Sequence, residues 1–303
     1  MSTATNTLPA ATRHKFFSFA RIWAIAGNTL LELVRLKVFY FLLIFALLII
    51  GTSGFTTIFD FPFQDQLQIL KDVAFGAMDI FSILLATLAT ANMLPKDIED
   101  RTLYTILAKP VPRLEYLMGK LLGMFLLLFV SIVIMTALFA PALYAKYLIV
   151  KQATEQQYAM DPPALKYALD DLWKHTFTVS LIPCIVLTYI KAILLATLTL
   201  MISTFSTSYI FSVFTSFTCY FIGSIEGIAR DYASTPLAGE GLKLFIRLVG
   251  LFFPDLQLFN LADDIVAGNQ IAMALFLKTA GLGLSYVCVY ALVAYVVFSF
   301  KEL

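Results

Sequence analysis

Charge is what this sequence has least of. Only 14% of its 303 residues are Asp, Glu, Lys or Arg, against 60% hydrophobic residues. A soluble domain carries about 25% charged residues, so the composition belongs to a membrane protein. The formal net charge is +1, so no basic field points to nucleic acid, and no nucleic-acid partner is expected. Cysteine occurs three times, at Cys184, Cys219 and Cys288, each alone inside an apolar run. That excludes a disulfide framework and any metal-ligand spacing, and leaves the three as apolar filler. Histidine occurs twice, at His14 and His175, far apart in the sequence. With no HExxH motif a zinc protease is not expected, and with no histidine in the apolar runs neither is an intramembrane serine protease. No GxxxxGK[ST] sequence occurs either, so the chain has no visible means of binding ATP itself. Nothing supports catalysis, and no metal site is expected. No cleaved leader is expected, because the first apolar run begins only near Val38.

What is present is long apolar runs. A helix needs about 20 mostly apolar residues to cross a bilayer. Six stretches qualify, at about 38–58, 73–94, 119–142, 178–205, 209–226 and 272–299. The runs are continuous and do not alternate, which selects helices over a spanning β-barrel. The expectation is an all-α integral membrane protein, a polar tail at 1–13 followed by one membrane domain over 14–303. With six spans both termini share a side. If that side is cytoplasmic, its short segments hold eleven Lys or Arg and the longer loops opposite hold eight. Basic residues in short loops fix orientation, so both termini are expected inside.

Three segments are neither span nor simple loop. In 14–37, Phe16, Phe19, Trp23, Ala26, Leu30 and Leu33 recur at helical steps, with Arg21, Asn28, Glu32 and Arg35 opposite. An interfacial amphipathic helix is expected there, its Arg and Lys turned toward lipid phosphates. Anchoring alone and anchoring with partner contact fit this pattern equally. On the opposite side, the outer segment 143–177 holds a helix start at Asp161–Pro162 and an apolar stripe of Leu165, Leu169, Leu172 and Trp173. The outer segment 227–271 holds the run Leu242–Phe253, interrupted by Arg247 and too short to cross, which reads as a short outer-leaflet helix stopped at Pro254. Such outer helices fit gating of an exit path or plain packing.

Asp79 lies in the second span and Lys191 near the middle of the fourth. Such groups are costly at that depth and mark functional or packing contacts. Their depths differ by about two helical turns, which argues against a direct salt bridge and favours a packing role. The glycines of Ala280–Ser285 in the last span suit close helix packing.

The most distinctive segment is "PKDIEDRTLYTILAKPVPRLEYLMGK", residues 95–120, with nine charged residues and three prolines between two apolar spans. Pro95 is expected to open a helix whose first turns carry Asp97, Glu99 and Asp100, where the helix dipole favours anions. Lys109–Pro112 breaks it, and a second helix starts near Arg113 and enters the third span. A solvated linker does not need that construction; a receptor for a cytoplasmic partner does.

This pattern resembles the permeases of type-2 ABC exporters. In that family the segment after the second span carries Glu, a basic residue then Thr, Leu, Pro, Arg and Gly-Lys. The matching residues are Glu99, Arg101, Thr102, Leu107, Pro110, Arg113 and Gly119–Lys120. The resemblance extends to "ARIWAIAGNTLLELVRLKVFY" and "LFFPDLQLFNLADDIVAG". It lies nearest the subgroup containing the permease of nitrous-oxide-reductase copper maturation. It implies a dimer of six-span permeases in a bacterial cytoplasmic membrane. A separate cytoplasmic ATPase subunit would bind ATP and Mg and push on 95–118 as a coupling helix. Glu99, Arg101 and Thr102 would lie nearest that ATPase, with Arg113 and Lys120 bracing the return into the membrane and the N-terminal helix alongside. Copper does not carry over, since no Cys, His or Met cluster with ligand spacing occurs. The alternative expectation is a membrane scaffold that recruits a cytoplasmic partner and transports nothing. A proton-coupled carrier is weaker, for want of inverted repeats and paired intramembrane carboxylates. The uncharged spans favour a lipid-linked, amphipathic or peptide cargo.

Overall fold

The computed structural model describes residues 18–52, 63–100, 112–177, 181–206, 208–234, 239–260 and 272–300. The polar tail 1–13, Phe16, the end of the first expected span, and Arg101, Thr102, Leu107 and Pro110 of the coupling segment lie outside the described residues. The described chain is all-α, with nine α-helices and no strand. In chain order they are α1 (Phe19–Val34), α2 (Lys37–Thr52), α3 (Phe63–Glu99), α4 (Arg113–Gln157), α5 (Pro162–Thr176), α6 (Leu181–Phe205), α7 (Tyr209–Ala233), α8 (Glu240–Phe252) and α9 (Met273–Phe300).

Five of these, α3, α4, α6, α7 and α9, are long and apolar enough to cross a membrane, so the chain is a multi-pass membrane protein. The first expected span is described only as α2, whose 16 residues rise about 24 Å. The helices also overrun the expected spans. The second begins at Phe63 and continues through Pro95 to Glu99, so Pro95 does not open a helix. Proline cannot donate to the carbonyl four residues back, which is that of Ala91. Here the Ser203 hydroxyl of α6 donates to that oxygen at 3.5 Å, so the helix carries on. The third helix starts at Arg113, passes Pro141 and ends at Gln157, absorbing the first half of the expected outer segment. Then Asp161 caps α5, its carboxylate accepting from the Ala164 N–H at 3.3 Å. Leu172 is buried, and Trp173 packs on Phe177 with ring centroids 4.6 Å apart.

At the centre stands α6, apolar all round and buried almost without interruption from Leu187 to Thr204. Helices α3, α4, α7 and α9 pack around it. Its threonine hydroxyls bond their own helix: Thr188, Thr197 and Thr199 donate to the carbonyls of Cys184, Ile193 and Leu195. This is how a helix with that many threonines stays buried in an apolar core.

After α8 the chain does not stay at the surface. It turns at Pro254 and a 3-10 turn, Gln257–Phe259, lodges between helices. Phe259 is buried, and a Cβ at Gly283 would stand 2.7 Å from its ring and 2.6 Å from Ile190. Ile190 and Gly283 lie nine and ten residues inside α6 and α9, or about 15 Å below the helix ends. The turn therefore dips about halfway into the bundle. Tyr290 and Tyr286 of α9 hold the descending strand of this hairpin by donating to the carbonyls of Phe252 and Gly250 at 2.6 and 3.0 Å.

Candidate docking site at the α1 end

Helix α1 lies along the first turns of α4. Ile22, Ala26, Thr29 and Leu33 form its buried face, while Phe19 and Trp23, expected on that face, stay exposed. The approach is close because α4 offers glycines: a Cβ at Gly123 would meet Thr29 at 2.7 Å and the Ala26 carbonyl at 2.8 Å. A Cβ at Gly119 would meet Ile25 at 2.7 Å.

The charged residues of α1 face protein groups. Arg21 pairs with Glu115 of α4 at 2.8 Å, where a lipid phosphate was the expected partner. Glu115 is fully buried and also accepts from the Ser18 backbone N–H at 2.7 Å. About three turns along α1, Glu32 meets Lys96 of α3 at 2.7 Å and Lys120 of α4 at 3.5 Å. Lys120 in turn sits 2.7 Å from Asp97 of α3, and the Tyr116 hydroxyl donates to the same carboxylate. Burial works against ionising Glu32, but the ammonium groups of Lys96 and Lys120 outweigh it and hold the carboxyl below its ordinary range. Arg113, at the head of α4, donates to the carbonyls of Phe298 and Ser299 at the end of α9, at 3.1 and 2.7 Å.

These bonds tie α1, α3, α4 and α9 together on both sides of residues 101–111. Beside them lies a cavity of about 740 Å3 lined by Asn28, Glu32, Arg35, Lys96, Asp97 and Asp100, among others. Arg35 is an exposed part of its lining and Lys120 a buried one, while Glu99 is exposed and does not line it. So of the expected site residues, Arg21, Glu32, Arg113 and Lys120 enter three neighbouring sets of contacts between these helices, and Trp23, Arg35 and Glu99 stand outside them. Glu115, Tyr116 and Lys96 complete these contacts without having been singled out in the sequence, and Asp97, expected only as an anion in the first turn of a helix, joins them through Lys120 and Tyr116. Their signal was there: each is a polar residue within a turn or two of a span end, spaced to face another.

The second expected feature is corrected. Lys191 and Asp79 do form a direct ion pair, 2.8 Å apart. The two residues face each other because α3 begins at Phe63, ten residues before the expected span, and runs in register with α6: Asp79–Lys191 and Ala91–Ser203 are the same 112 residues apart. The ammonium also lies 5.7 Å from the Tyr220 ring centre of α7.

No protein-family model and no curated protein matches this chain.

Proposed function

We propose that this chain is the membrane subunit of an ATP-driven ABC transporter, an exporter whose ATPase is a separate cytoplasmic subunit. The observation that supports it most is the network around 101–111. Glu32–Lys96, Lys120–Asp97, Arg21–Glu115 and Arg113 with the end of α9 couple four helices to the two flanks of that segment. A push delivered there by a partner would move α1, α3, α4 and α9 as a unit. That is what converting nucleotide-driven closure of an ATPase pair into rearrangement of membrane helices needs. In this reading the α1 end is cytoplasmic, the membrane is a bacterial inner membrane, and the working unit contains two permease chains. ATP and Mg belong to the partner, and this chain is not itself an enzyme.

The test is co-purification with the ATPase and measurement of substrate-stimulated hydrolysis. Glu99→Ala and Arg101→Ala are expected to lower both ATPase recovery and stimulated hydrolysis. If both variants behave as the parent chain, the coupling role is lost. If a cytoplasmic partner co-purifies but hydrolyses no nucleotide, the scaffold reading takes its place.

A further inference from the structure

At the opposite end of the bundle, α7 and α8 enclose a cavity of about 390 Å3. Its lining includes Glu226, Arg230 and Ser234 of the α7 end and Lys243, Arg247 and Gly250 of α8. Glu226 is only 6% exposed, and its Oε2 accepts no hydrogen bond from the protein. The Arg230 guanidinium is 3.6 Å from that oxygen, too far for a hydrogen bond, and is engaged by Asp255 of the re-entrant turn. Asp255 is itself occupied, accepting from the Gln257 N–H at 3.0 Å. Helix α8 passes directly over the carboxylate, since a Cβ at Gly250 would stand 2.7 Å from Glu226 Oε1. A buried carboxylate oxygen without a donor is destabilising, because it has lost water and gained no hydrogen bond. A donor entering the cavity removes that cost.

The other wall supplies the opposite charge. Arg247 is exposed and has no hydrogen bond or ion pair among the described residues. Lys243 one turn away has only Glu240 near it, at 3.4 Å, and that carboxylate is 95% exposed. Depth is the third observation. Glu226 lies 17 residues along α7 from Tyr209, a rise of about 25 Å, against a hydrocarbon thickness of about 30 Å. The cavity thus sits where acyl tails give way to headgroups. Next to it, Leu244, Phe245, Leu248, Leu251 and Phe252 of α8 form an exposed apolar ridge.

We propose that this cavity binds the headgroup of an aminophospholipid of the phosphoethanolamine type. Its ammonium donates to Glu226, its phosphate is held by Arg247 and Lys243, and its acyl chains lie along the α8 ridge. The arrangement discriminates by chemistry. A choline headgroup has no N–H to give Glu226, and a glycerol headgroup brings no cation to the buried carboxylate. The site does not depend on the transport reading.

The full chain, reconstituted in nanodiscs holding equal parts of phosphatidylethanolamine, phosphatidylcholine and phosphatidylglycerol, is released and examined by native mass spectrometry. Phosphatidylethanolamine is expected to be retained over the other two by about tenfold, the worth of one charge-assisted hydrogen bond. E226Q, which keeps the shape of the side chain, is expected to reduce that preference to the level of phosphatidylcholine. R247A is expected to weaken retention of all three lipids alike, because each of them carries the phosphate. Lipid retained by the parent chain in proportion to nanodisc composition overturns the proposal, without reference to how any variant folds. So does an E226Q chain that folds and keeps the ethanolamine preference.

Discussion

The ammonium of Lys191 lies 2.8 Å from a carboxylate oxygen of Asp79, fastening the central helix α6 to α3 inside the apolar bundle. Breaking such a pair from one side strands a charge in a poorly solvated place, whereas removing both charges does not. Lys191→Met and Asp79→Asn are therefore each expected to destabilise the protein by about 3 kcal/mol. The double variant is expected to recover most of the loss. Thermal unfolding in detergent checks this, and single and double variants of equal stability would show the pair to be energetically idle.

Arg21 and Glu115 hold the start of α1. Glu115 is fully buried, so Arg21→Ala leaves it with the Ser18 N–H and no cation. The loss is expected to be about 3 kcal/mol of α1 docking. Hydrogen exchange in 19–34 is expected to accelerate while α6 stays protected.

The glycine contacts give a steric prediction. Gly123→Ala puts a methyl 2.8 Å from the backbone oxygen of Ala26, which cannot turn aside as a side chain end can. Helix α1 must shift, at a cost of about 1–3 kcal/mol. Gly281→Ala serves as the control, because nothing lies within 4 Å of the added methyl. Differential scanning fluorimetry of the two variants separates them.

Acid should loosen the same helix. The Glu32 carboxyl is held below its ordinary value of 4.5 by Lys96 and Lys120, after burial has opposed it. A depressed carboxylate contributes its stabilisation fully above the unfolded value and loses it as pH falls through the folded one. Because Glu32 is partly exposed, the contribution is up to about 1 kcal/mol. Exchange of α1 amides is expected to rise as pH falls below 4.5, and Glu32→Gln is expected to flatten part of that rise.

Much of this architecture can be read from the apolar runs, because a helix that must span hydrocarbon announces itself by length and composition. The all-α class and five long apolar helices follow from that alone. Helix ends were harder. Pro95 reads as a start on local grounds, yet α3 continues through it, and the Ser203 hydroxyl, over a hundred residues away, reaches the Ala91 carbonyl that the proline cannot bond. The Lys191–Asp79 pair was hidden for a related reason: depth was counted from the edge of the apolar run at 73, whereas α3 begins at Phe63 and brings Asp79 level with Lys191. Amphipathicity located α1, but its polar face meets protein where lipid phosphates were expected: Arg21 pairs with Glu115 and Glu32 with Lys96. The cluster of Glu115, Asp97 and Tyr116 became visible only once α1, α3 and α4 were brought side by side.

Helix α4 runs unbroken for 45 residues, a length of about 67 Å and roughly twice the hydrocarbon thickness. It therefore reaches from the charged network at Arg113 and Lys120 to well beyond the far side of a bilayer. A tilt of about 3° pivoting at one end displaces the other by about 3.5 Å. Pro141 places a missing backbone bond on that rod about 42 Å from Arg113. Motion imposed at the α1 end can thus travel as one piece across the bilayer and be redirected on the other side, where α5 and the ring cluster of Tyr147, Trp173 and Phe177 sit. The molecule has, in mechanical terms, a lever with its joint beyond the membrane.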